Sequence, residues 1–235
     1  MIRKILFIKF ILLLIVQLTY AQKQTGNENY FSLRLGYNFD IFTNPDVYDI
    51  YPVINFKEGT FMKEVSFEAG YRLNKKISLS FTPSLIFTST SNNKGFNFYS
   101  AGQTKYYYPL QSDLFLLPLN LNLKVYPFDG KVGERFYFSI SGGSSYIKEE
   151  YNNLIYLSDT SVVPLGSVIS KNSFWRQNAT VSAGMDFSLN KYGLNIELGY
   201  RFIPLAINSD KPLVSSFASN FNYLYLGFKG FINLK

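Results

Sequence analysis

The chain has 235 residues with no Cys and no His, and 23 basic against 16 acidic residues give a formal net charge of +7. Without cysteine there is no disulfide framework and no thiolate chemistry. Without histidine the usual zinc sites and Ser-His-Asp hydrolysis are excluded as well. The basic excess is spread along the chain instead of forming the clustered stripe that nucleic acid demands, so no nucleic-acid partner is expected.

Residues 1–21 read as a signal peptide. Arg3 and Lys4 precede an almost wholly apolar stretch from Ile5 to Leu18, and Thr19-Tyr20-Ala21 offers a small-x-small cleavage site before Gln22. Lys9 interrupts the apolar run and leaves it short of the roughly 20 residues of a spanning helix. No Cys follows the site, which excludes a lipid-anchored lipoprotein. Cleavage removes Arg3, Lys4 and Lys9 and lowers the net charge from +7 to +4.

Eight segments then alternate apolar and polar residues at a spacing of two. The first, about Tyr30 to Phe39, sets Phe31, Leu33, Leu35, Tyr37 and Phe39 against Ser32, Arg34, Gly36 and Asn38. A long loop carries Asp40, Asn44-Pro45, Asp46, Asp49 and Glu58. The second strand places Val65, Phe67, Ala69, Tyr71 and Leu73 opposite Glu64, Ser66, Glu68, Gly70 and Arg72, and Asn74-Lys75-Lys76 makes a tight turn. The third alternates Ile77, Leu79, Phe81, Leu85 and Phe87 with Ser78, Ser80, Thr82, Ser84 and Thr88. A loop from about Ser89 to Pro109 follows. The fourth strand sets Phe115 to Val125 against Pro118, Asn120, Asn122, Lys124 and Tyr126, before a turn at Asp129-Gly130.

In the fifth strand Phe136, Phe138, Ile140 and Tyr146 oppose Tyr137, Ser139, Ser141, Gly143 and Ser145. The longest loop is expected from about Lys148 to Asn172. The sixth strand puts Val181, Ala183, Met185, Phe187 and Leu189 opposite Thr180, Ser182, Gly184, Asp186 and Ser188, and a short turn spans Asn190 to Gly193. The seventh sets Leu194, Ile196, Leu198, Tyr200 and Phe202 against Asn195, Glu197, Gly199 and Arg201. A last long loop holds Pro204 and Pro212. The eighth strand, from about Phe221, sets Leu224, Leu226, Phe228 and Ile232 against Tyr223, Tyr225, Gly227 and Lys229.

Links that alternate long and short between eight such strands predict an all-β, eight-stranded antiparallel up-and-down transmembrane β-barrel. A soluble sandwich or lipocalin also alternates, but its polar face is exposed and rich in Lys, Glu and Asp. Here that face is mostly Ser, Thr, Gly and Asn with isolated charges, while the bulky residues share the other face. Small groups suit a narrow lumen and bulky apolar groups suit lipid. The expected division is signal peptide 1–21, a short periplasmic segment 22–29 and an outer-membrane barrel domain 30–235.

Glu68-Ala69-Gly70-Tyr71-Arg72 recurs as Glu197-Leu198-Gly199-Tyr200-Arg201. Residues i and i+4 of a strand share a face, so each Glu and Arg points into the barrel. With Arg34, Lys124, Asp186 and Lys229 they form the candidate lumen ion-pair set, because charges held away from water must be paired. An eight-stranded interior is one that side chains can just fill, which argues against a wide channel. Phe98, Tyr99, Tyr106, Tyr107 and Tyr108 in the second long loop are candidates either for an interaction surface or for the aromatic girdle at a membrane boundary, where Phe174 and Trp175 also fit. The acidic groups Asp46, Asp49 and Glu58, and Glu149 with Glu150, are the only carboxylate clusters that could serve a glycosidase, and read as solvated loop charges. No enzyme, cofactor or metal is expected.

Several segments resemble the PorT-type outer-membrane β-barrel family of Bacteroidota. They are Phe67-Glu68-Ala69-Gly70-Tyr71-Arg72 with Ile77-Ser78-Leu79-Ser80-Phe81, Leu116-Leu117-Pro118-Leu119-Asn120-Leu121, Ser141-Gly142-Gly143-Ser144, and Ala183-Gly184-Met185-Asp186-Phe187 through Gly199-Tyr200-Arg201-Phe202. The likeness spans nearly the whole chain after the signal and lies in degenerate strand patterns. It implies an outer-membrane barrel without catalytic residues, whose named member works in type IX protein secretion. Outer-membrane barrels commonly end on an aromatic residue, whereas this chain ends Leu234-Lys235. The expected partners are outer-membrane lipid and lipopolysaccharide, with envelope or secretion-machinery proteins at the loops. The alternative role is a narrow pore or transporter for a small or apolar ligand.

Overall fold

The computed structural model describes residues 30–51, 54–55, 60–61, 63–91, 94–100, 102–128, 135–157, 162–189, 191–205 and 210–234. The expected signal peptide, the 22–29 segment, Glu58, the Asp129-Gly130 turn and Asn190 lie outside the described residues. The elements are β1 (Tyr30–Phe42), α1 (Pro45–Tyr48), β2 (Ile54–Asn55), β3 (Thr60–Phe61), β4 (Lys63–Arg72), β5 (Ile77–Ser91) and β6 (Phe96–Ser100). They continue with β7 (Gln103–Val125), β8 (Phe136–Tyr156), β9 (Gly166–Leu189), β10 (Tyr192–Phe202) and β11 (Tyr223–Leu234).

Eight strands close a ring in the order β1, β4, β5, β7, β8, β9, β10, β11, each antiparallel to its neighbours, and β11 returns to β1. The short β6 is an added strand on the far end of β7, and β2–β3 form a separate two-stranded hairpin within the first long link. Period-two alternation sends one face of every strand outward. Leu35, Val65, Phe81, Leu121, Ile140, Val181, Leu198 and Leu226, one from each ring strand, are 40–64 % exposed. The opposite face buries Arg34, Glu68, Lys124, Asp186, Glu197 and Lys229. A ring that turns Leu and Phe outward and buries ions is inverted relative to a water-soluble domain, and it is stable only where the surrounding solvent is lipid.

The boundary of the belt on the long-loop side is an aromatic layer. The Phe115 and Tyr146 rings lie 6.3 Å apart, and Tyr146 lies 5.4 Å from Trp175. One step beyond it the outward positions turn polar: Asp113 on β7, Lys148 and Glu150 on β8, Lys171 on β9. These strands nevertheless continue. A membrane crossing needs about 9–11 strand residues, whereas β7, β8 and β9 have 23, 21 and 24. The segments read from sequence as loops over Ser89–Pro109 and Lys148–Asn172 are therefore largely strand. They build a wall of β6 to β9 that rises above the belt on one side of the ring.

Local chemistry sets the ends. Asn74 Oδ1 accepts the amides of Lys76 and Ile77 at 2.8 and 2.9 Å, which fixes the β4–β5 turn. Gly102, with φ of 77°, supplies the left-handed residue in the β6–β7 turn. Inside the ring, close approach is bought by missing side chains. Tyr225 lies directly over its cross-strand partner Gly199, and Tyr137 over Gly184, so that a Cβ on either glycine would sit 2.4–2.6 Å from a ring carbon.

Candidate functional site

The lumen holds two layers of different chemistry. The layer toward the short turns is ionic. Glu68 is its hub, taking Lys124 Nζ at 2.5 Å, Lys229 Nζ at 3.4 Å and Arg34 Nε at 3.5 Å. Arg34 also donates both terminal nitrogens to Asp186, at 2.6 and 3.0 Å, the bidentate geometry that suits guanidinium and carboxylate. Asp186 further accepts Asn195 Nδ2 at 2.8 Å and the Tyr126 hydroxyl at 3.1 Å. Glu197 takes Lys229 at 3.2 Å and the hydroxyls of Tyr137 and Tyr225 at 2.5 and 2.8 Å.

Arg201 closes the top of this layer on Glu64 at 2.9 Å, with the Tyr223 hydroxyl beside it. Within it a cavity of about 20 Å³, lined by Asn38, Glu64, Asn120, Lys124, Arg201 and Lys229 among others, has room for about one water.

Seven of the eight predicted lumen charges meet in this network. Arg72 does not. It faces inward at the short-turn rim, donates Nε to the Asn74 carbonyl at 3.1 Å, bonds the Lys75 carbonyl and lies 3.8 Å over the Tyr126 ring. It shares the inward face of Glu68 but not its depth: four residues along a strand separate the two by more than an ion pair can span. The repeated Glu-x-Gly-x-Arg pattern is therefore not a repeated pair, since Glu68 and Glu197 bind cations from other strands. Two acids complete the layer. Glu64 lies on the predicted polar face, and Asp40, predicted in a loop, is an inward residue of β1, fully buried beside Glu64 and Arg201. Counting both, five carboxylates face four cations among the described residues within this layer.

The layer toward the long loops is apolar. Asn44 caps α1 by accepting the Asp46 amide at 3.1 Å, and the short helix turns Val47, Ile50 and Tyr51 into the mouth. From the last long link, a 3₁₀ turn over Val214–Ser216 brings in Leu213, Val214 and Ala218. These pack on Phe42, Ile86, Leu114, Leu116 and Ile147 of the ring strands and on Phe221 just before β11, and form one contiguous buried core. Phe174, assigned to the girdle from sequence, faces inward and packs against this core, while Trp175 keeps the boundary position. The sequence had offered no signal for this plug, because its residues come from irregular segments without a period.

One carboxyl is buried in the plug. Glu149 is fully buried, whereas its neighbour Glu150 points outward and pairs with Lys171 at 2.6 Å. The two are thus neither a carboxylate pair nor both solvated loop charges. Among the described residues no cation pairs with Glu149. It accepts the Ser215 amide at 3.2 Å and the Tyr151 hydroxyl at 3.2 Å. Burial pushes its pKa up to about 7 against the partial relief of those donors. Asp49, by contrast, is exposed and paired with Lys94 at 2.5 Å.

The aromatic candidates of the β6–β7 hairpin are divided between its faces. Tyr107 is buried and stacks on Phe96 at 6.1 Å with Phe98 edge-on, Tyr106 lies 6.3 Å from Tyr156, and Tyr99 is exposed. Tyr108 is half-buried.

No family model matches the chain, and no curated protein sequence does. Among solved structures it is similar to Ail, the attachment invasion locus protein of Yersinia pestis, at 10% identity over 88% of this chain and 98% of that one, with a TM-score of 0.44. Neisserial surface protein A matches at 10% identity over 87% and 96% with a TM-score of 0.42, and the outer membrane protein OprG of Pseudomonas aeruginosa at 13% over 88% and 94% with a TM-score of 0.38. The membrane assignment rests on the strand ring and its belt: the chain is an integral β-barrel of the outer-membrane type.

Proposed function

We propose that this barrel acts through the surface it presents beyond the membrane, as a partner-binding component of the envelope, and in its specific form as a secretion or envelope accessory of the PorT type. Lipid and lipopolysaccharide are the partners of its belt, and its task is neither catalytic nor one of conduction. The observation that carries this reading is the double closure of the lumen. Among the described residues an ionic layer with a water-sized cavity lies under an apolar plug, which favours a filled lumen, while the tall wall of β6 to β9 offers ordered surface above it.

Crosslinking in intact cells, followed by purification of the barrel, is expected to recover a defined envelope protein. In planar bilayers the purified barrel is expected to stay closed. Stable conductance steps would replace this reading with the narrow-pore alternative.

A further inference from the structure

The tall wall ends in an open strand edge. β10 pairs with β9 only from Ala179 to Leu189, so among the described residues the β9 backbone from Gly166 to Asn178 has a strand on its β8 side alone. Of this, Gly166 to Phe174 stands above the aromatic layer, in water. Exposed edges in native proteins are usually blunted by proline, bulges or inward-pointing charge. This one contains no proline, and its register with β8 runs unbroken from Gly166 down to Met185.

A cleft of about 550 Å³ follows the edge. Val168, Ile169, Ser170 and Lys171 line it consecutively, which means that the cleft runs along the edge of the strand, because a face would contribute only alternate residues. Asp210, Lys211 and Pro212 form the facing wall, with Tyr107 and Ile155 in the floor. Lys211 Nζ already reaches across to the Lys171 carbonyl at 2.5 Å, so one backbone acceptor of the edge is being read by a side chain.

We propose that this edge receives an extended, acid-bearing polypeptide strand from another protein, added to the sheet beside β9. The proposal rests on the partner-binding reading and gives it a site. An open edge is recognised by backbone donors and acceptors at strand spacing, which only an extended polypeptide supplies. Side chains set the rest of the chemistry. Of the charged residues that line the cleft, Lys171 and Lys211 outnumber Asp210, the edge strand itself carries no acid, and the floor is aromatic and aliphatic. The occupied edge of the same strand is a template: β8 sets Glu150 opposite Lys171 with an ion pair of 2.6 Å. A second copy of this chain fits less well, since two β9 edges would bring basic residues together with no acid between them.

The test uses the full barrel in detergent micelles and a labelled synthetic peptide with the sequence of Ile147–Tyr156, the strand that β9 already accepts on its other side. Saturable binding is expected by fluorescence anisotropy, with slowed amide exchange confined to Gly166–Phe174. Lys171 is exposed, so Lys171→Glu should leave heat-modifiable migration unchanged. The substitution should weaken peptide binding about five-fold, the scale of one solvent-accessible charge pair reversed, and a peptide carrying Lys at both Glu positions should recover the loss.

Absence of saturable binding, protection elsewhere in the barrel, or edge amides equally protected without peptide would each overturn the proposal. So would barrel dimers crosslinked through Ser173→Cys. Partner capture from cells does not involve the peptide. A captured partner together with a silent edge therefore overturns only this site, and stable conductance overturns only the partner-binding reading.

Discussion

The two layers of the lumen solve one packing problem with opposite chemistry. Below, inside the lipid belt, the ionic layer holds four cations and five carboxylates, and three of its ion pairs cross the barrel between strands that are not neighbours: Arg34 of β1 to Asp186 of β9, Lys124 of β7 to Glu68 of β4, Arg201 of β10 to Glu64 of β4. Above, outside the belt, two loop segments fill the mouth with aliphatic and aromatic side chains and a single uncharged-prone carboxyl. The ionic layer resists change because removing one partner leaves several buried charges uncompensated. The apolar layer depends on shape and on two irregular backbone segments that lie outside the ring ladder. Charge pairing and shape are thus assigned to different depths.

The sharpest way to break this contrast is at the ionic hub. Glu68→Gln keeps the volume, leaves Lys124 without its carboxylate and takes one of two partners from Lys229 and Arg34, so a loss of about 3–5 kcal/mol is expected in urea unfolding from micelles. The plug should keep its exchange protection until the ring itself opens.

The plug should answer to pH instead. Glu149 has a pKa near 7 when docked and about 4.5 when loop and wall part. The acid binds its proton more tightly in the docked state, so docking is strongest at low pH and weakens as pH rises from about 4.5 through 7. The full loss is roughly 3 kcal/mol. Amide exchange of Val214–Ala218, corrected for intrinsic rates, should accelerate over that window in the native protein and stay flat in Glu149→Gln.

Leu213→Ala should cost about 2 kcal/mol of plug docking, at the low end for a buried leucine, because the loop can settle into the space. It should leave the midpoint of heat-modifiable migration nearly unchanged. The smallest effect is expected at Asp40, the carboxylate in excess. Asp40→Asn should leave the ring as stable or raise its stability by about 1 kcal/mol, and a clear loss would mean that the count of lumen charges misses a compensating group.

What the sequence disclosed follows the same division. Inside the belt, outward residues must be apolar and inward ones polar, so alternation carried strand, face and solvent for Leu33 to Phe39 or Leu194 to Phe202. Above the belt both faces meet water or plug, alternation lapses, and β7, β8 and β9 looked like loops although their ladders continue. Glu149 lies where alternation lapses in this way, whereas Asp40 lies one residue past Phe39, where the predicted first strand ends. Arg72 was misplaced for another reason, since a face gives direction but not height. The plug residues Val47, Ile50, Leu213 and Val214 lie in irregular chain, where no period exists to be read.

The tyrosines that lie over Gly199 and Gly184 bear on assembly as well as packing. Each ring occupies the one cross-strand position where its partner has no Cβ. A slip of two residues, which would preserve the inward and outward faces, sets Tyr225 of β11 over Glu197 or Arg201 and Tyr137 of β8 over Asp186 or Ser182. Alternation alone tolerates such a slip, and these keys do not. The glycines therefore act as a register key, fitting β8 against β9 and β10 against β11 in one alignment.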